Sequence, residues 1–564
     1  MKKCEKKIVK HIQLKYRKSY MLLMSAIIAI GCFLVIYGWY PLDVTNDTWI
    51  IRGYDFTDII QHYAGWCQFR ISSWKFPLGL ADTMAIQEGT YITFTDSIPY
   101  LAIFFKLLRA ILPETFQYFG WFTLACFILQ AIAAGLLMER KTKSYVLIAI
   151  GELFFLTNPV LIERTFKHTA LGAQWLILFS LYFYLEYRNK EKESKLPWQM
   201  VLFTTLTVGI HPYFLPMVMI FVLLIVIEAA MKRHKWWKTV GFTVISVLCP
   251  ILAGYSIGAI GNGVENIRSG YGYFSMNLNS LFNPQSSGAF QWSYILPVRG
   301  QTMGNYDGFN YLGMGVLLLL PITALVVVLR TVMEKEFRKQ WICFLKKNVL
   351  FLVCLLFLTC FAITNTITWD DQVLATFPLP EKLLELCNIF RASGRMFYPV
   401  YYTIILAELY CIITIPKKWM SYVILTVVLF VQLFDMRAVF VDKHVEMREK
   451  YYDEGTLLQD EVLNAIQGKE IVVIMENADP DFKKVVAAWA GKKGMATAYS
   501  VANSGTYMDS LVFSMQCEQN ITMGIVDDKI LYVTQNAELA GWLDMLYEEL
   551  GLERHIRGNS YFYY

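Results

Sequence analysis

Long apolar runs recur through the first 440 residues and constrain the fold more than any other feature of the chain. A helix needs about 20 apolar residues to cross the hydrocarbon of a bilayer. Runs close to that length lie at 20–40, 116–138, 144–160, 170–187, 198–212, 213–231, 239–259, 311–330, 348–366, 397–414 and 420–440. Hydrophobic residues make up 56% of the chain and the mean hydropathy is +0.40, so we expect an α-helical polytopic membrane protein.

Lysine and arginine mark one side of this predicted bundle. Residues 1–19 are strongly basic, and five short loops that the predicted crossings place on the same side are basic as well: 139–143, 188–195, 232–238, 330–347 and 416–418. Loops rich in lysine and arginine stay in the cytoplasm. The pattern holds only if 97–112 lies in the outer interface, with Lys106 and Arg109 reaching for the headgroups, instead of crossing. We therefore expect about eleven spans and a cytoplasmic N-terminus.

The predicted organisation has three parts: a basic N-terminus at 1–19, a transmembrane domain at 20–440 with outer loops 41–115, 260–309 and 367–396, and a C-terminal domain at 441–564. In the last part short helix-like and strand-like runs alternate. We expect a helix near 453–467, a strand at 470–475, helices at 480–490 and 506–516, a strand at 495–501, a hairpin over 521–534, a helix at 537–549 and a terminal strand. This pattern predicts a small α/β domain outside the membrane.

Two classes of function do not fit the composition. The net charge of +5 lies mostly in short loops, whereas a nucleic-acid-binding protein would carry a basic face on a soluble domain. The eleven cysteines are scattered without a CxxC pair, which favours neither a zinc site nor a disulfide framework. We assign no metal ligands and no certain cofactor, although a divalent metal ion stays compatible with the chain.

An acidic segment follows the first span and provides the leading site candidates. If 54–80 begins as a helix, then Asp55, Asp58 and His62 recur at three- and four-residue steps on one face. Carboxylates beside a membrane are repelled by headgroups and excluded by hydrocarbon. Asp58 can act as a general base that His62 or a second acid tunes, and Asp96 is a further outer acid. The alternatives are a solvated surface helix for the segment and a helix N-cap for Asp96.

Cationic side chains at predicted outer loop ends form a second set of candidates. Arg164, Lys167 and His168 lie between two apolar runs, and Arg391 and Arg395 precede another. Arginine binds phosphate oxygens in a bidentate manner, so these residues are suited to a phosphate or diphosphate. Anchoring to anionic lipid headgroups is the alternative.

Aromatic and imidazole side chains in the outer segments complete the candidates. His211 sits between two apolar runs and is followed by proline, but no second ligand at metal spacing accompanies it. Tyr271, Tyr273 and Tyr306 could stack on sugar rings, or they could belong to an interfacial aromatic belt.

Several of these segments resemble a known superfamily. An acidic first outer loop, interfacial helices, basic cytoplasmic turns and an outer C-terminal domain are similar to GT-C type membrane glycosyltransferases. DIIQHYAGWCQFRISSWKFPLG, TDSIPYLAIFFKLL, FKHTALGAQWLIL, GIHPYF, YDGFNYLG and FRASGRMF resemble, more closely, a bacterial membrane family with a domain of unknown function. The resemblance covers roughly 40–440. It implies an outer acid acting as base, a role that falls by position on Asp58, although adjacent paired acids are absent because Asp55 and Asp58 are three residues apart.

The expectation drawn from this resemblance is an inverting glycosyltransferase in the bacterial cytoplasmic membrane, with 441–564 outside the cytoplasm. Its partners would be a polyprenyl-phosphate sugar donor, a glycan or glycolipid acceptor of the cell envelope, and the lipid bilayer. Two alternatives stay open: a flippase or exporter of lipid-linked saccharides, and a non-catalytic envelope scaffold. A carrier should place ionisable residues deep in its spans, and the sequence shows few of them there.

Overall fold

The computed structural model describes residues 2–53, 58–189, 195–261, 269–286, 288, 290–453, 460–475, 478–502, 505 and 507–564, with side chains from residue 16 onward. Helices dominate the first 452 residues. They are α1 (Lys2–Tyr37), α2 (Thr48–Ile51), α3 (Ile59–Ile71), α4 (Pro99–Leu107), α5 (Phe119–Glu139), α6 (Tyr145–Leu156), α7 (Pro159–Arg164), α8 (Trp175–Asn189), α9 (Gln199–Ile210), α10 (Phe214–Met231), α11 (Trp236–Ile257), α12 (Met314–Met333), α13 (Lys335–Ile363), α14 (Glu381–Asn388), α15 (Tyr398–Ile413), α16 (Lys418–Asp435) and α17 (Arg437–Tyr452).

Eight of the described helices are long and apolar enough to cross a membrane. The segments are Tyr16–Tyr37, Phe119–Glu139, Phe214–Met231, Trp236–Ile257, Met314–Met333, Lys335–Ile363, Ser393–Ile413 and Lys418–Asp435. The chain is thus a mostly helical protein of polytopic membrane type. At three of the eleven predicted spans the helices are shorter: α6 and α9 have 12 residues each and α8 has 15. The count of eleven crossings stays a prediction.

The basic segments meet at one end of the bundle, here called the basic end. Arg17 pairs with Glu139 at 3.6 Å, and Arg188 pairs with Glu228 at 3.2 Å and donates to the carbonyl of Lys347. Arg330 donates to the carbonyl of Thr414. Arg17 lies in α1 and Glu139 ends α5, so both helices have one end among these contacts. Because a helix rises 1.5 Å per residue, the segment that joins their other ends lies at the opposite end of the bundle.

The segment 41–115 covers that opposite end. It contains α2, α3, a two-residue antiparallel pair formed by β1 (Leu80–Ala81) and β2 (Thr90–Tyr91), and α4. The short α4 packs beside α9, where the Tyr100 hydroxyl donates to the carbonyl of Thr205. Lys106 does not reach for headgroups as expected. It is buried and donates to Ser72 at 2.7 Å, because the carbonyl-rich turn after α3 lies within its reach.

The last hundred residues form a mixed five-stranded sheet in the order β6-β5-β7-β9-β8. Its strands are β5 (Ile471–Ile474), β6 (Ala496–Thr497), β7 (Ile530–Thr534), β8 (Arg554–Arg557) and β9 (Ser560–Tyr563), and its helices are α18 (Glu461–Ala465), α19 (Pro480–Lys492), α20 (Met508–Thr522) and α21 (Ala537–Leu543). β5 pairs in parallel with β6 and β7, and β9 is antiparallel to β7 and β8. Residues 441–452 belong to α17 instead, which packs against α1 and α2.

Two local expectations for this part were wrong. The run 521–534 is not a hairpin, because 521–522 end α20 and β7 pairs with β5 and β9 instead. The chain ends in two paired strands, β8 and β9, and not in one. Most of the helix expected at 453–467 falls on 454–459, which lie outside the described residues, and α18 covers Glu461–Ala465.

The C-terminal sheet is docked on the segment 41–115. Helix α19 lies against α3, where Gln68 donates to the carbonyl of Ala487 at 2.9 Å. Lys492 and Asp47 form a buried pair at 2.7 Å. Residues 83–86 extend the sheet beyond β6, because the amide of Thr497 donates to the carbonyl of Thr83 and Met84 bridges Thr497 in parallel. The docking places α19 alongside α3, with Lys484 near Asp58 at one end and Ala487 bonded to Gln68 further along.

Candidate active site

Asp58 occupies the N-cap position of α3, yet its side chain forms no capping hydrogen bond. Instead, its Oδ2 lies 3.2 Å from Nε2 of His168 and its Oδ1 lies 3.9 Å from Nζ of Lys484. The side chain keeps 34% of its surface exposed. Burial alone raises the pKa of the Asp58 carboxyl, but the hydrogen bond from His168 and nearby positive charge hold the pKa well below its usual range. Asp58 is therefore an accessible carboxylate at neutral pH.

His168 is held in one tautomer by its two neighbours. Its Nδ1 lies 3.5 Å from Nη1 of Arg164, and a guanidinium can only donate, so Nδ1 is the acceptor. The ring proton then resides on Nε2 and is donated to Asp58. Burial lowers the pKa of His168, the contact with Asp58 raises it, and nearby Arg395 and Arg164 lower it, so that the pKa lies below its usual value. A neutral His168 orients the Asp58 carboxylate.

Two arginines converge on one buried carboxylate behind His168. Nη1 of Arg164 lies 2.7 Å from Oδ1 of Asp307, and Nη2 of Arg395 lies 2.9 Å from Oδ2. Asp307 belongs to a 3₁₀ turn, Asn305–Gly308, and Nε of Arg164 also donates to Tyr398 at 2.8 Å. Burial raises the pKa of Asp307, but the two guanidinium groups outweigh burial and hold it far below its usual range. Two cations against one anion leave this triad with one surplus positive charge.

His62 stands one turn after Asp58 and is fully buried. Neither ring nitrogen has a hydrogen-bond partner within the described part of the chain. Burial lowers the pKa of His62 to about 3, against the opposing effect of Asp58, so the ring is neutral at pH 7. Burying an imidazole without hydrogen-bond partners is unfavourable, so His62 is a polar group of the cluster that the described protein atoms leave unsatisfied.

Asp96 and His211 border the same cluster. Nε2 of His211 lies 3.6 Å from Oδ1 of Asp96, beyond hydrogen-bond length. His211 ends α9 in extended geometry, as expected before a proline, and Asp96 adopts a left-handed conformation with φ 55°. Asp96 is not the N-cap of α4, because it precedes that helix by three residues and Ile98 holds the N-cap position.

Tyr306 and Arg391 lie at the rim of the cluster. Tyr306 immediately precedes Asp307, is half-buried, and packs its ring 6.1 Å from Phe274. Arg391 holds its guanidinium 5.6 Å from the same Phe274 ring. Arg395 lies 5.0 Å from the Tyr213 ring. The rings of Phe274 and Tyr213 line the side of the cluster where the arginines lie.

The remaining candidates lie apart from Asp58 or outside the described chain. Tyr271 donates to the carbonyl of Phe361, and Tyr273 is 47% exposed. Lys167 forms a buried pair with Glu163 at 2.7 Å, one helical turn back along the chain. Asp55 is outside the described residues.

No metal centre emerges from the described residues, since no three His, Cys, Asp or Glu side chains converge in a way that could hold an ion. The nitrogens of His168 already contact Asp58 and Arg164. No chemical step is assigned to a metal ion.

Residues 26–437 match the model of a family described as a domain of unknown function, DUF6311. The match covers well over half of the chain. The chain belongs to the DUF6311 family. No curated protein matches it.

The DUF6311 segment holds nearly the whole cluster, including Asp58, His168, Asp307 and Arg395. Lys484 is different, because it lies on α19 beyond that segment and still reaches Asp58. It also pairs with Asp481 at 3.0 Å. The C-terminal sheet thus contributes one charged side chain to a site that the DUF6311 segment otherwise builds.

Sequence reasoning missed three residues of the site. Asp307 lies in the segment YDGFNYLG, from which only Tyr306 was predicted as a site residue. An acidic residue in a predicted outer loop would have indicated Asp307 as well. Tyr398 follows FRASGRMF, so its place near Arg395 could have been inferred. Lys484 has no local signal, because only the docking of α19 on α3 brings it to Asp58.

Proposed function

We propose that this protein is a membrane glycosyltransferase that moves a sugar from a polyprenyl-phosphate donor to an acceptor hydroxyl of the cell envelope. The observation that carries the proposal is the Asp58–His168–Arg164–Asp307–Arg395 chain of contacts. It joins one accessible carboxylate to a buried pair of arginines at one end of an apolar helix bundle. Such a site offers a proton acceptor and a phosphate-binding charge side by side.

The reaction assigned to Asp58 is proton removal from the acceptor. The hydroxyl oxygen attacks the anomeric carbon, Asp58 takes the hydroxyl proton, and the bond from that carbon to the phosphate oxygen breaks. The electron pair leaves with the phosphate, and attack from the opposite face inverts the anomeric centre. Asp58 is a weak base by its lowered pKa, but it is fully ionised, and the attacking hydroxyl becomes acidic only as the new bond forms.

His168 and Lys484 orient the base. His168 occupies one lone pair of Oδ2, and Lys484 stands near Oδ1 at a distance longer than a hydrogen bond. One oxygen of the carboxylate is therefore fixed and the other stays accessible to a hydroxyl. Fixing the base before the substrate arrives reduces the reorganisation needed in the transition state.

The arginine pair is suited to the leaving phosphate. Negative charge grows on the phosphate as its bond to the sugar breaks, and a preorganised cation in a dry site stabilises that charge strongly. The surplus charge of the Arg164–Asp307–Arg395 triad supplies such a cation. Arg391, whose guanidinium lies 5.6 Å from the Phe274 ring at the rim, is a further cation for the same phosphate.

The decisive experiment measures the release of polyprenyl phosphate from the donor. The full chain is purified into nanodiscs with lipids extracted from its native membrane, and released polyprenyl phosphate is measured by mass spectrometry with and without an envelope acceptor fraction. We expect acceptor-dependent release that Asp58→Asn abolishes and His444→Gln leaves unchanged. His444 is a matched control because its ring contacts the carbonyl of Val35 instead of the acidic cluster.

One observation favours a second candidate, a carrier of lipid-linked saccharides. Glu152 and Glu408 are buried within helices of the bundle, and both carboxyl oxygens of Glu408 have no hydrogen-bond partner within the described residues. Ionisable groups inside a membrane bundle often mark a transport path. Glu152 differs from Glu408 because it accepts from Ser25 at 2.6 Å.

The same nanodisc material separates the two candidates. A carrier moves the lipid-linked saccharide between leaflets without releasing polyprenyl phosphate, and Glu408→Gln should then impair movement. Recovery of the intact lipid in the other leaflet, with no free polyprenyl phosphate under any acceptor, would refute the transferase proposal and favour the carrier.

A further inference from the structure

An apolar surface lies directly before Arg391 and Arg395 in the chain. Residues 366–390, here called the interfacial segment, comprise a hairpin of β3 (Thr366–Trp369) and β4 (Gln372–Thr376) followed by α14. Its large apolar side chains are exposed: Val373 56%, Leu374 57%, Phe377 56%, Leu383 44% and Leu386 62%. So many exposed large apolar side chains within one short stretch indicate an interaction site.

The interfacial segment is held in place by its other side. Thr368 donates to Asn305 at 3.1 Å, and Asp370 pairs with Arg299 at 2.7 Å. On α14, Asn388 accepts the backbone amide of Tyr271 at 2.9 Å, and Cys387 is buried. The apolar side chains are thus exposed on a segment fixed in position by polar contacts.

This surface continues the outside of a membrane-spanning helix. Helix α13 is apolar enough to cross a bilayer and ends at Ile363, three residues before β3 begins. Its last turns expose Val353 at 55%, Leu356 at 61% and Phe357 at 59%. Side chains exposed on such a helix face lipid. The interfacial segment therefore follows a lipid-facing helix directly along the chain.

We propose that the interfacial segment is immersed in the bilayer leaflet at the site end of the bundle, with its exposed apolar side chains among the lipid chains. The candidate site then opens sideways into that leaflet, next to Arg391. This inference does not depend on the reaction proposed for Asp58, because a carrier would need the same entrance. It assigns the surface to lipid and not to a second copy of the chain.

The depth of immersion follows from the backbone. Within the described residues β4 pairs only with β3, so its other edge carries backbone groups that need water or headgroups. The hairpin must therefore lie at headgroup level, with side chains reaching some 5–10 Å inward as in other interfacial elements. The segment carries Lys382 against Asp370, Asp371, Glu381 and Glu385, one positive charge against four negative, so electrostatic attraction to anionic lipid does not drive binding.

Photocrosslinking tests the inference. The full chain carries benzoylphenylalanine at Leu374, Phe377 or Leu386, and at Glu381 as the matched control on the polar side of α14, in nanodiscs of zwitterionic phosphatidylcholine. After irradiation, the intact mass shows whether one lipid has been added. We expect lipid adducts at the three apolar positions, roughly tenfold above the yield at Glu381, because a polar face stays in water.

Each other outcome overturns the proposal. Equal lipid yields at Leu386 and Glu381 would mean that α14 is not immersed. Protein dimers in place of lipid adducts would assign the face to a second copy of the chain. Three apolar positions allow for a variant that fails to fold, since size-exclusion chromatography identifies the well-folded ones. Neither outcome bears on whether Asp58 transfers sugar, which the polyprenyl phosphate assay decides separately.

Discussion

Nε2 of His168 lies 3.2 Å from Oδ2 of Asp58, and the arginine behind the imidazole fixes which nitrogen carries the proton. The two residues are 110 positions apart, so the contact depends on the tertiary packing of the bundle. An oriented carboxylate that keeps one oxygen accessible is the arrangement that general-base catalysis needs.

Asp58→Asn should lower sugar transfer by about 10²–10⁴-fold, because a general base contributes that much and an amide cannot accept the proton. Folding should survive, since asparagine keeps the shape and can still accept from His168. Asp96→Asn is the matched control and should cost less, because Asp96 lies by His211 and not by the arginine pair. If Asp96→Asn alone abolished transfer, the base would be the other acid.

Acid should destabilise the protein through His62. Its pKa is lowered to about 3 in the folded state, so between pH 6.5 and 3 the unfolded chain binds more protons, and stability falls as pH falls. From pH 7 to 5 the loss is roughly 2 kcal/mol from this residue. Thermal unfolding of the purified protein at a series of pH values should show this loss of stability. The dependence of stability on pH should be less steep for His62→Gln and unchanged for His444→Gln. An unchanged slope in His62→Gln would contradict the prediction.

Asp307→Asn should be strongly destabilising. It leaves Arg164 and Arg395 buried and facing each other without their shared carboxylate, a loss of about 3–5 kcal/mol for a broken buried pair. Asp370→Asn provides the comparison, since its partner Arg299 is 41% exposed and a surface pair is worth only about 0–1 kcal/mol. Melting temperatures of both variants in the same detergent measure the difference, and similar melting temperatures would show that the triad is not a structural unit.

Lys484→Met should lower turnover about fivefold, because a partly exposed ion pair is worth roughly 1 kcal/mol. The pH dependence carries the more specific signal. Removing this positive charge favours the protonated form of Asp58, so the acid limb of the pH–rate profile should move to higher pH. Lys484→Arg should restore it. The control is Lys483→Met, on the same helix but lining a groove with Tyr499 and Ser510. A shift of equal size in both variants would point to general damage to α19.

Membrane topology is tested by labelling single cysteines on intact cells. With eleven crossings, Lys529→Cys in the C-terminal sheet should react with an impermeant maleimide from outside, and Lys339→Cys at the basic end should react only after permeabilisation. Both lysines are exposed, at 58% and 74%. The reverse labelling pattern would invert the orientation, and reaction of both positions from outside would mean a different number of crossings.

Much of the site was accessible to sequence reasoning because its polar residues interrupt apolar surroundings. Asp58, His168 and Arg395 stand beside long apolar runs, where an ionisable side chain is costly and so carries information. No role was predicted for Glu152 and Glu408, because a single acid within an apolar run has no neighbouring motif that indicates its function.

Long-range pairing set the limit of prediction. The run ILYVT is a good strand, but its partners are β5 and β9, and nothing near it in the sequence distinguishes this pairing from a local hairpin. Span lengths were overestimated for α6 and α9 because short polar and proline-containing breaks, 157–159 and 211–212, end each helix before the apolar composition resumes. The contact of Lys484 with Asp58 depends on the same long-range docking.

The strand-like pairing of 83–86 with β6 has a consequence for the order of biogenesis. The amide of Thr497 donates to the carbonyl of Thr83, more than 400 residues earlier in the chain. This pairing therefore cannot form until β6 has been synthesised. Contacts of such sequence separation form late. The segment 41–115, which includes Asp58, therefore lacks this contact until β6 has been synthesised, and the candidate site lacks the contact of Lys484 for the same time.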